Sequence, residues 1–175
     1  MSEFAVIILV VLIGIFVTIS NYFFIQLILE KDLKKFIYDE KKENKKLIFQ
    51  IKLQAYERLI LLLERISPPS LILRAQNVND NVITLQSELL SIIRNEYEYN
   101  ISQQMYISKE AWDLVSNAKE QVIKIINISA NNLPPDATGN DLCAKIITSW
   151  IQINPTPTKI AIDYLKEEVK KLFNV

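Results

Sequence analysis

The residues able to do chemistry in this chain are acids, lysines, arginines and tyrosines; histidine is absent altogether. Paired carboxylates come first, because two acids facing one bond can divide proton donation and acceptance between them. Glu96 with Glu98 and Glu167 with Glu168 are such pairs. On a helix, neighbours one or two positions apart point in different directions, so neither pair converges. The Glu-x-x-His spacing of di-iron bundles is impossible without histidine, whose absence also removes the commonest general base and metal ligand. Cys143 is the only cysteine, which leaves no internal disulfide and no thiolate zinc cluster. Set among Leu142, Ala144, Ile146 and Ile147, it reads as a small buried hydrophobe rather than a nucleophile. No glycine-rich phosphate loop of either standard spacing occurs. Two sequons, at Asn100 and Asn127, are short enough to arise by chance. The residues therefore point to a non-enzyme, with no catalytic group, no metal and no cofactor.

What remains is recognition. The stretch YERLILLLERI (Tyr56 to Ile66) places five aliphatic residues between two Glu-Arg pairs. At roughly 100° per residue, Ile48, Ala55, Leu59, Leu62, Leu63 and Ile66 share one wide face, which reads as a core face. Glu57 and Glu64 project alike, as do Arg58 and Arg65, and Leu61 falls inside that charged strip. Glu57, Arg58, Leu61, Glu64 and Arg65 form a candidate contact for a partner; equally, the charged pairs could be bundle salt bridges covered by later helices. Gln103 and Gln104, in the uncharged cluster Ser102-Gln103-Gln104, read as a helix junction that hydrogen-bonds across the bundle, and as a second candidate partner surface. Trp112 and Trp150 read as core aromatics.

These groups need elements to hold them, and composition says which. Half of the residues are hydrophobic and only two are glycine. Sheet proteins need glycines at tight turns, so the scarcity favours long helices. Lys+Arg and Asp+Glu balance at 20 each, which gives no global field for nucleic acid. The mean hydropathy of +0.14 is high for a chain with 23% charged residues. It reflects one greasy segment and one polar one. Between Glu3 and Glu30 stand 26 residues without a charge. As a helix they reach about 39 Å, against a hydrocarbon core of about 30 Å. Tyr22, Phe23 and Phe24 suit the interfacial belt.

The reading is a spanning helix over residues 4–25, embedded in a lipid bilayer. A cleaved signal would want positive charge ahead of a shorter run and a small-x-small site. Lys31, Lys34, Lys35, Lys41, Lys42, Lys45 and Lys46 follow the run. By the positive-inside rule they leave the C-terminal part in the cytoplasm; they read as a solvated face or as contacts for anionic head groups.

From Glu30 to Ile66 neither proline nor glycine interrupts the chain, so the span can continue as a stalk until Ser67-Pro68-Pro69-Ser70 ends it. Glu40 and Asn44 stand where a coiled-coil seam would want apolar residues. Beyond the break, Leu71 to Arg74 read as an apolar turn and Asn77 to Asn79 as a loop. Asp80 caps a helix carrying Val82, Leu85, Leu89, Ile92 and Ile93, which frays or kinks at Tyr97 to Asn100. Ser108 opens the next, carrying Val115, Val122, Ile125 and Ile126, and Asn131 to Pro135 stop it. Two more run from Asn140 to Ile153 and from Lys159 to Phe173. The expected fold is all-α: one N-terminal transmembrane helix (1–29), a charged juxtamembrane stalk helix (30–66) and an antiparallel bundle of about five helices (67–175).

LQAYERLILLLERISP (Leu53 to Pro68) and NISQQMYISKEAWDLVSNAKE (Asn100 to Glu120) resemble an uncharacterised family of short membrane-anchored proteins of the Bacteroidota, a domain of unknown function. The resemblance implies a bacterial origin, one span and a helical soluble domain, and it carries over no catalytic residue. The expectation is a non-enzymatic interaction or scaffold module of the bacterial inner membrane, with a protein partner or a second copy of itself and no nucleic acid. Two rivals stand beside it. One is the same bundle facing the periplasm. The other is a ligand-binding or enzymatic bundle with a polar pocket of Tyr56, Glu57, Arg58, Gln103 and Gln104.

Overall fold

A computed structural model describes residues 3–75 and 81–173; the expected loop at Asn77 to Asn79 and the expected cap Asp80 lie outside them. Every regular element among the described residues is helical. The chain divides into two compact units, Met1–Phe49 and Gln50–Val175.

The first unit is helical backbone within α1 (Glu3–Ile66). Among its described apolar side chains, Phe4, Phe16, Tyr22, Phe23 and Phe24 are all exposed. The most apolar stretch of α1 has a mean hydropathy of 2.0 and is wholly unburied. It is one helix long and apolar enough to cross a membrane. The lysine-rich turns after Glu30 are exposed as well. There, Lys34 pairs with Glu30 at 3.5 Å.

The second unit begins inside the same helix. Leu59, Leu62, Leu63 and Ile66 are buried, as the face at 100° spacing requires. Ile48 is not: it is exposed, which corrects its place on the core face. It lies in the first unit, one residue before the division, so the shared angle alone does not bury it.

Pro68 and Pro69 have no amide hydrogen for α1 to use, and their fixed φ suits a first helical turn. They stop α1 and start α2 (Pro68–Arg74), a short helix rather than a turn. Ser67 Oγ donates to the Glu64 carbonyl at 2.7 Å, taking up one of the acceptors the end of α1 leaves open. The N-cap of α3 (Val82–Asn100) is Asn81, whose Oδ1 accepts the Thr84 amide at 2.9 Å. This helix runs unbroken through Tyr97 to Asn100 and then tightens into a 3-10 turn at Ile101–Met105. Ser108 caps α4 (Lys109–Asn131) as expected, its Oγ accepting the Ala111 amide at 3.0 Å.

The last two helices start earlier than apolar spacing suggests. Thr138 and Asp141 form a reciprocal capping box that opens α5 (Gly139–Ile151). Pro157 sits in the first turn of α6 (Pro157–Leu172), capped by Thr156. Asp141, held by the Thr138 amide and hydroxyl, has its carboxyl lowered below the usual range.

One core serves all of these helices. Leu85, Leu89 and Ile93 of α3 meet Val115, Val122 and Ile126 of α4, Leu142, Ile146 and Trp150 of α5, and Ala161, Ile162 and Leu165 of α6. A fully buried leucine or isoleucine stabilises such a core by about 1.5–3 kcal/mol. Trp150 is buried as expected, whereas Trp112 is only partly so and packs on the core from its edge. There it stacks on Tyr97 with ring centroids 5.4 Å apart. Cys143 is half-buried, and burial raises its thiol pKa. An isolated antiparallel bridge joins Asn81 to Thr138.

Candidate functional site

Leu61 sits on α1 with its neighbours in sequence, Leu62 and Leu63, fully inside. It is 55% exposed itself, because the helix turns it away from the core on which the others are spent. Glu57, Arg58 and Glu64 surround it, also exposed and without an ion-pair partner among the described residues. Arg65, one turn beyond Leu61, behaves differently. Its Nε lies 3.1 Å from Glu96 Oε1 on α3. Arg74 reaches the same oxygen through Nη1 at 3.0 Å and donates through Nη2 to the Arg65 carbonyl at 2.6 Å. Of the two Glu-Arg pairs, then, one arginine is a bundle salt bridge, and the other three charges face solvent.

Two guanidiniums on one carboxylate leave a net positive charge. Arg74 Nε is also buried and finds no acceptor among the described residues. Beside this cluster a shallow cleft is lined by Arg65, Asn95, Glu96 and Tyr99. Tyr99 is 75% exposed. Residues four apart on a helix are surface neighbours, so Leu61, Arg65 and the cleft that holds Tyr99 form one continuous patch. Tyr99 and Asn95 escape a sequence reading, because nothing in α3 alone says which exposed face lies beside α1.

The two glutamines separate. Gln103 is buried in the 3-10 turn, where its Nε2 donates to the adjacent Ser102 Oγ at 3.3 Å. Its bonding is therefore local rather than across the bundle. Gln104 is exposed.

Tyr56 does not front a polar pocket. It is buried, and its hydroxyl donates to Glu168 Oε2 at 3.0 Å. Burial, then the bond to that carboxylate, push its pKa up. This phenol is a structural donor that joins α1 to α6. Among the described residues no cluster of acids or cysteine could hold a metal ion. The acids Glu167 and Glu168 are divided by their partners: Glu167 pairs with Lys170 at 2.6 Å, and Glu168 accepts from Tyr56.

No curated protein and no solved structure matches the chain. A family model does, over residues 2–172. That match takes in both the apolar helix and the bundle, and the chain belongs to the family of unknown function DUF7935.

Proposed function

We propose that this protein is a non-enzymatic interaction module, held by its apolar helix in a bacterial inner membrane with the bundle on the cytoplasmic side. The observation that carries the reading is the patch of Leu61, Arg65 and Tyr99. It sets two exposed large side chains beside an arginine on a bundle whose other α1 leucines nearby are spent inside. Such a mixture of apolar, aromatic and arginine groups is what partner surfaces are made of. The patch is small, and an anchor compensates for that. Confinement to a membrane turns a weak encounter into a local one at high effective concentration, so a modest contact is enough. The seven lysines between Lys31 and Lys46 support the inward orientation. The resemblance to anchored Bacteroidota proteins agrees with an inner-membrane place. The partner is a protein of the same membrane or a second copy of the chain.

The test uses the full chain in its own membrane. A photo-cross-linking side chain at position 61 should trap one discrete adduct, and Arg65→Glu together with Tyr99→Ala should abolish it. No adduct, or one indifferent to both changes, rejects the patch. Carbonate washing should leave the chain in the membrane fraction, and a periplasm-only reporter at the C-terminus should stay silent. An active reporter places the bundle on the other side.

A further inference from the structure

A second cleft, distinct from the patch around Leu61, opens between α3 and α4. It has a volume of about 400 Å³, within the roughly 300–1,000 Å³ typical of small-molecule sites. Leu90, Tyr97 and Ile101 line it from one side and Ile123 from the other. The wall is stiff where it matters. Tyr97 stacks on Trp112, bonds through its hydroxyl to Ser116 Oγ at 2.9 Å, and carries Lys119 Nζ 4.1 Å above its ring. Arg94 and Lys119 stand at the same cleft, with Glu98 the one acid beside them. Lys119 also pairs with Glu120, which is largely exposed. Arg94 has no ion-pair or hydrogen-bond partner among the described residues.

These features select a ligand. With Lys119 already paired to Glu120, the unpaired Arg94 disfavours a cationic guest. Walls of leucine and isoleucine offer no hydrogen bonds to a fully polar anion, whose desolvation they could not offset. A neutral apolar molecule would make no use of the guanidinium at the cleft. We propose that the cleft binds a small amphipathic anion, an aliphatic chain ending in a carboxylate. The chain lies against Leu90, Ile101 and Ile123, and the head group meets Arg94 and Lys119, where a guanidinium can take both carboxylate oxygens.

Octanoate is a suitable probe, with octanol as its uncharged match. The full chain, carried in nanodiscs of neutral lipid with isoleucine methyls labelled, is titrated with each by NMR. Octanoate should shift the Ile101 and Ile123 methyls saturably while the exposed Ile83 stays unmoved. Octanol should bind more weakly by about tenfold or more, and Arg94→Gln should bring octanoate down to the octanol level, since a charged pair at a half-enclosed site is worth about that factor. Arg94 is exposed and unpartnered, so its replacement leaves the fold intact and the remaining methyl spectrum unchanged. Ile123→Trp, which fills the cleft, should remove the saturable shift. Equal binding of octanol and octanoate, octanoate binding unchanged by Arg94→Gln, or shifts that track Ile83 as closely as Ile123 would each overturn the proposal.

Discussion

Tyr56, buried in the core, and Glu96, at its edge, show what a polar side chain does in this bundle. The Tyr56 phenol is held protonated by burial and by its bond to Glu168, so its pKa in the folded chain lies above the value of about 10 of an unfolded tyrosine. The sign follows: the stability it contributes is complete below that pH, and it declines as the pH climbs past it, because the unfolded state ionises first. The margin by which the parent chain exceeds Tyr56→Phe in urea denaturation should therefore shrink as the pH is raised from about 9 to 11. A constant margin would mean that the hydroxyl titrates normally. Glu96 answers to two arginines. Replacing it by glutamine removes their shared counter-charge, and the expected cost is about 1–3 kcal/mol. Leu59, buried on α1, is expected to cost about 2–5 kcal/mol as alanine through the cavity it leaves. Denaturation followed by the fluorescence of Trp112 and Trp150 would read both.

At the scale of elements, stop signals were easier to read than starts. Proline pairs end helices for a local reason, so the breaks after Ile66 and Asn131 are visible in the chain itself. The starts of α5 and α6 lie one and two residues before the points that apolar spacing marks. Apolar spacing marks the buried stripe, whereas the first turn is set by Thr138 with Asp141 and by Thr156 with Pro157. The cap of α3 shows the same limit, since Asp80 and Asn81 are equally good on composition and Asn81 is the residue whose Oδ1 accepts the Thr84 amide. Leu61 could be placed outside the core from its angle on the wheel. Tyr99, which shares a cleft with Arg65, could not, because its place there depends on how α3 lies along α1. Ile48 failed in the opposite sense, having the right angle with no neighbouring helix to cover it. Thr138→Ala, which removes one half of the capping box, should lower stability by about 0.5–2 kcal/mol, and Thr138→Ser should restore most of it. An unchanged thermal midpoint for the alanine variant would show that the box is dispensable.

As a whole molecule, the chain divides into two units of different character. The first carries a long exposed apolar stretch of helix, and the second buries an aliphatic core shared by all of its helices. The isolated bridge between Asn81 and Thr138 belongs to this largest scale, because it clasps together the residues that begin α3 and α5. Two helices remote in sequence thus share a point of departure. In hydrogen exchange the amides of their opening turns should be released in concert, as one cooperative unit rather than as two independently fraying ends. A lesion at either threonine or asparagine would then be felt across the whole breadth of the bundle.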